Sequence, residues 1–137
     1  MRSRNMKSFS IIPALVLGAA LLNSTAALAA GLDAQDSQAN GVSINVKPAD
    51  LGSANWRFEV KLTTHSGSLD DDLSKSATLL AAGKQYAPAA WEGSAPGGHH
   101  RSGVLSFKAV TPRPQAIELR IARQGEAAPR EFRWKLK

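Results

Sequence analysis

The sequence contains no cysteine. No disulfide can staple the fold, so a packed apolar core has to hold it. Methionine is nearly absent as well: the two present, Met1 and Met6, lie at the very start of the chain. Everything downstream of them has neither thiolate nor thioether. That excludes the soft-sulfur sites of Cu(I), iron–sulfur clusters and blue copper. Histidine is limited to His65, His99 and His100, so any metal chemistry draws on imidazole, carboxylate and backbone oxygen. The marks of common enzymes are missing too: no nucleophile elbow, no phosphate-binding loop and no HExxH zinc motif. Ser, His and Asp all occur, but a catalytic triad is defined by geometry, and nothing in their spacing specifies one. A non-catalytic chain without an organic cofactor is expected.

Long apolar runs are also lacking. Ile11 to Leu22 is the main one, broken by Pro13 and Gly18, and it falls short of the roughly 20 residues a spanning helix needs. Arg2, Arg4 and Lys7 precede it, and Ala27-Leu28-Ala29 follows as an A-x-A cleavage site. Residues 1–29 therefore read as a signal peptide. No lipid-carrying cysteine comes after the cleavage site, so a lipoprotein is excluded. The mature protein is expected to be periplasmic or secreted and not membrane-spanning. Cleavage after Ala29 leaves about 108 residues, the size of one domain.

Cleavage also changes the charge. The whole chain carries 17 basic and 11 acidic residues, for a formal net charge of +6. The leader takes three basic residues and no acidic one, which leaves about +3. The remaining Lys and Arg are scattered among Asp and Glu, as on an ordinary solvated surface. A nucleic-acid partner is not expected.

What is present is a period of two. Val42, Ile44 and Val46 alternate with Ser43 and Asn45 until Pro48. Trp56, Phe58, Val60 and Leu62 alternate with Arg57, Glu59 and Lys61. Ala77 to Leu80 and Gln85 to Ala87 flank a turn placed at Gly83-Lys84. Leu69 and Leu73 suit one helical turn or a buried loop anchor. Leu105 and Phe107 share one face of a strand from Val104 to Phe107. After the Pro112–Pro114 break, Ile117, Leu119 and Ile121 form a C-terminal hairpin with Phe132, Trp134 and Leu136. The spacing predicts an all-β fold: an antiparallel, immunoglobulin-like β-sandwich of six or seven strands. A small β-barrel is the alternative. Residues 30–40 are polar and unpatterned and read as a flexible N-terminal arm; residues 41–137 form the domain. Trp56, Trp91, Trp134, Phe58, Phe107 and Phe132 are the expected large core side chains.

The densest chemistry lies in Trp91 to Phe107, WEGSAPGGHHRSGVLSF. Gly97 and Gly98 free the backbone beside His99 and His100. On extended chain, adjacent side chains point to opposite faces, so one ion takes both imidazoles only if the loop is irregular. His65 follows the second long strand and precedes Asp70, Asp71 and Asp72. If the two loops share one end of the sandwich, His99, His100, His65 and Asp70 form a ligand set for Cu(II) or Zn(II). The bland reading is one histidine packed against Trp91 and the other solvated. The Asp triplet lacks the spacing of an EF-hand loop. Arg101 is expected to pin the loop by pairing with Glu92, or else to bind an anion.

The segment GGHHRSGVLSF resembles that of the periplasmic copper-resistance β-sandwich proteins of the CopC type. In that family a glycine-histidine pair precedes a Ser-Gly step and an apolar strand. The resemblance implies a Cu(II) ligand at His99 or His100. Two features differ from the family: the mature chain would begin near Ala30-Gly31 rather than at a histidine, and about 30 residues follow the strand that ends the family's domain. The chain as a whole is similar to small exported bacterial immunoglobulin-like proteins. Two functions are therefore carried forward. One is divalent-metal binding at the loop histidines; the other is a structural or adaptor domain that docks on a cell-envelope protein.

Overall fold

The computed structural model describes residues 32–136. The expected signal peptide and its cleavage site lie outside the described residues. The strands are β1 (Gln35–Ala39), β2 (Val42–Asp50), β3 (Asn55–Thr64), β4 (Ala77–Ala81), β5 (Lys84–Tyr86), β6 (Ala90–Gly93), β7 (His100–Lys108), β8 (Ala116–Ile121) and β9 (Arg130–Lys135). One short helix, α1 (Leu73–Ser76), precedes β4. All strand pairs are antiparallel. They form two sheets, ordered β1-β2-β3-β7-β6 and β5-β4-β8-β9. With β2 as strand A, this is A-B-E-D facing C′-C-F-G, the immunoglobulin-like arrangement. The β1 strand is added outside A.

The predicted alternation sets which faces meet. Val42, Ile44 and Val46 of β2, and Trp56, Phe58, Val60 and Leu62 of β3, are buried. They face Leu79, Ile117, Leu119, Ile121, Phe132 and Trp134 of the other sheet, which are buried too. Phe58 meets Phe107 edge to face at 5.8 Å and Trp134 at 5.8 Å, geometries that add to simple burial. Leu69 and Leu73 are fully buried; Leu69 is a buried loop anchor, and the helical turn begins only at Leu73, so the two do not share it. Asp72 caps α1 by accepting from the Ser74 N–H at 3.1 Å. Of the six expected aromatic core residues, Trp91 alone is only half-buried.

Three boundaries differ from expectation. First, residues 35–39, read as part of a flexible arm, form a strand. Asn40 and Gly41 both have positive φ (51° and 76°), and this two-residue hairpin loop folds β1 onto β2. Second, β2 continues past Pro48. Pro48 is opposite Phe58, beyond the last β1 partner at Val46, and the register shifts between Pro48 and Asp50. Its missing N–H falls where no strand waits for it. Third, the β4–β5 turn sits at Ala82-Gly83, with φ of 50° and 77°.

The β1 strand closes one side of the sandwich against β9. The Gln35 side-chain amide bonds both the C=O and the N–H of Arg133. Trp134 Nε1 donates to the Asp33 carbonyl at 2.8 Å. The Arg130 guanidinium donates to the carbonyls of Ser37, Ala39 and Val42 at 2.8–3.2 Å. Both sheet edges on that side are thereby covered, which blunts their tendency to pair with other chains. No described helix is long and apolar enough to cross a membrane.

Candidate functional site at the histidine loop

The loop between β6 and β7 is held by backbone pairing. Leu69 donates its N–H to the Gly98 carbonyl at 3.0 Å and accepts from the Gly97 N–H at 2.8 Å. Gly97 and Gly98 have φ of 117° and 77°, values that L side chains adopt at a cost. The buried Leu69 side chain fixes this pairing to the core. The Thr64 N–H donates to the His99 carbonyl at 2.9 Å. The loop therefore belongs to the same end of the sandwich as the end of β3.

Beneath the loop, Trp91 and Arg101 share the inner face of the first sheet. Gly93 pairs with Gly103 in the β6–β7 register, and the indole lies over both. A Cβ on Gly103 would stand 2.7 Å from the Trp91 ring and 2.6 Å from the Glu92 carbonyl oxygen, so neither space nor backbone admits a side chain there. The Trp91 Nε1 donates to the Ser94 carbonyl at 3.1 Å. The Arg101 guanidinium stands 5.8 Å from the ring centroid, within cation–π range.

Arg101 does not pair with Glu92. Its side chain is directed inward and is 3% exposed. It donates to the carbonyls of Leu69 (3.2 Å), Asp71 (2.5 Å) and Ser94 (3.2 Å). Its Nε has no partner among the described residues. The planar fork of donors suits this task of collecting carbonyls from two loops. The alternation of β7 is the cause: Leu105 and Phe107 point inward, and so does Arg101 by period two.

A chain of ion pairs braces the same end. Asp71 accepts from Arg123 at 2.7 Å, Glu126 accepts from Arg123 at 3.3 Å, and Glu126 binds Arg130 through two bonds of 2.8 Å. All four side chains are largely buried. The bonds from Arg130 hold the Glu126 carboxyl below its ordinary value, against the opposing effect of burial. The Asp71–Arg123 link was not legible in the sequence because it joins residues more than 50 positions apart; the other two links are three and four residues apart.

The four expected ligands come to one end but not into one cluster. His65, His99, His100 and Asp70 are all exposed. The Asp70 carboxylate accepts from the Ser68 hydroxyl at 2.7 Å. Asp71 is committed to Arg123 and Asp72 to α1. Among the described residues, no group of three or more His, Asp or Glu side chains is gathered to hold a metal ion. The β7 strand starts at His100, and His99 lies in the loop just before it. His100 is opposite Thr63, two residues before His65.

No family model matches the chain, and no curated protein matches it. Among solved structures the chain is similar to MPT63, a secreted protein from Mycobacterium tuberculosis. The match has 15% identity and a TM-score of 0.47, and covers 79% of this chain and 99% of that one.

Proposed function

We propose that the chain is an exported, non-catalytic β-sandwich that binds a divalent metal, Cu(II) or Zn(II), at its loop end. The β3–β7 register carries this reading. His100 is opposite Thr63, and His65 follows directly after β3 ends at Thr64. The two imidazoles would close around one ion at about 2 Å from each nitrogen. Both side chains are exposed. His99 and Asp70 lie on the adjoining loops and would complete the coordination after a loop movement. The sulfur-free composition suits imidazole-binding divalent ions. Export rests on the leader-like first 29 residues.

Calorimetric titration of the tag-free protein tests this. One equivalent of Cu(II) or Zn(II) is expected to bind with a Kd on the order of micromolar, about −8 kcal/mol. Either His65→Ala or His100→Ala weakens binding roughly tenfold, about 1.4 kcal/mol. Binding that is absent, or unchanged in the double variant, overturns the reading.

One observation favours an adaptor instead. The β1/β9 side of the sandwich is capped by Gln35 and Arg130, whereas the opposite side ends in the short strands β5 and β6. On that reading, an extended segment of an envelope protein adds to β6. Metal titrations would then be flat, and bound partner would protect the amides of Trp91 and Gly93 from exchange.

A further inference from the structure

The outer face of the first sheet carries a second feature beside the histidine pair. Lys61 is opposite Ser102, and Thr63 is opposite His100. These residues line a groove of about 260 Å³, completed by the backbone of Leu62 and Arg101. The lining supplies an ammonium, an imidazole and two hydroxyls, and no carboxylate. Glu59, the next outward residue of β3, is opposite Val104 and outside the groove.

Among the described residues, Lys61 is one of several unpaired surface cations, with Lys47, Lys84, Lys108 and Lys135; this place differs in the buried Arg101 behind it. On the second sheet, Arg120 and Arg133 are matched by Glu118 and Glu131 in one four-member cluster. Lys61 enters no ion pair among the described residues. Arg101, directly behind the groove on the inner face, has carbonyl partners only. Its charge is buried and makes no ion pair with a carboxylate among the described residues, none of which partners its Nε. A buried charge in low dielectric projects its field further than an exposed one. The groove thus has a cation at its rim, another behind it, and hydroxyl donors between them. Neither the Thr63 nor the Ser102 hydroxyl is engaged with another described residue.

We propose that this groove binds a phosphate group, either as free inorganic phosphate or on an anionic lipid headgroup. Lys61 acts as the point charge, Thr63 and Ser102 donate from their hydroxyls, and His100 donates from its ring. Such charge-assisted bonds are the strong ones in an exposed site. The inference does not depend on the metal reading, although His100 lies at the border of both sites.

Inorganic phosphate is titrated into the metal-free protein while amide resonances are followed by NMR. Vesicles of phosphatidylglycerol are tested in parallel by co-sedimentation. Saturable shifts at Lys61, Thr63, His100 and Ser102 are expected. Lys61→Ala is expected to weaken binding fivefold or more, and Thr63→Val severalfold. Phosphate shifts without vesicle binding assign the free ion; vesicle binding lost in Lys61→Ala assigns the headgroup. Lys61→Ala should keep its Zn(II) binding, and His65→Ala should keep its phosphate binding, so the two readings fail separately. If neither ligand binds, or Lys61→Ala and Thr63→Val leave binding unchanged, the proposal is overturned.

Discussion

The Trp91 indole lies against Gly103, where a Cβ would stand 2.7 Å from the ring. Gly93 and Gly103, paired across β6 and β7, make a flat seat for the ring. The Trp-x-Gly and Arg-x-Gly steps of the histidine loop are thus two halves of one packing unit. Gly103→Ala should destabilise the domain by about 2 kcal/mol, the usual cost of overpacking a site whose neighbours are backbone. Urea unfolding followed by tryptophan fluorescence checks this. Glu92→Ala, on the outer face of the same strand, should cost less than about 0.5 kcal/mol.

Arg101 is a brace between loops. Arg101→Met keeps much of the side-chain length but leaves the carbonyls of Leu69, Asp71 and Ser94 without their donor. A loss of about 2–4 kcal/mol is expected from unpaired buried acceptors. Arg101→Lys should recover only part of it, because an ammonium cannot span three acceptors as a planar fork does. Thermal unfolding of both variants measures the difference. Equal stability of Lys and Met variants would contradict the bracing role.

The ion-pair chain predicts acid sensitivity. The Glu126 carboxyl is held below its ordinary value by Arg130. A depressed carboxyl contributes stability that is fully present above the unfolded-state value and is lost as pH falls through the folded one. Stability should therefore be flat near neutrality and fall as pH drops below the usual glutamate range. Glu126→Gln should lower stability at pH 7 by about 3 kcal/mol, since it leaves Arg130 without a buried counter-charge, while Arg123 keeps Asp71. It should also flatten the acid limb. Denaturant midpoints from pH 7 to pH 3 check both.

The β4–β5 turn stores a small strain. Ala82 has φ of 50°, a left-handed conformation that costs L residues other than Asn, Asp and Gly about 1 kcal/mol. Ala82→Asn should stabilise the protein by about 0.5–1 kcal/mol, with the hairpin unchanged. Thermal unfolding measures it, and a lower midpoint would contradict the strain argument.

The two-sheet architecture was legible because β2, β3, β8 and β9 each bury one face, and period two records burial directly. The β1 strand was not, because its outward and edge positions are polar on both faces. Asn40-Gly41 was the available signal, the hairpin dipeptide that turns Gln35–Ala39 back onto β2. Pro48 misled the reading of β2, since a proline stops a strand only where its N–H would have had a partner. The inward course of Arg101 was readable from the phase of Leu105 and Phe107, but charge argued against burying it. In the Asp71–Arg123–Glu126–Arg130 chain the Arg123–Glu126 and Glu126–Arg130 links are local, at i,i+3 and i,i+4, whereas the fold alone brings Asp71 to Arg123. For the histidines, the residue types were legible, while the register of β3 and β7 sets His100 opposite Thr63, with His65 and His99 just outside the two strands.

The most direct measurement is a Zn(II) titration of the protein with the imidazole resonances of all three histidines resolved by NMR. The account predicts that His65 and His100 shift together and saturate at one equivalent, with His99 moving less. Zn(II) that leaves His65 untouched, or that shifts none of the three, would contradict it.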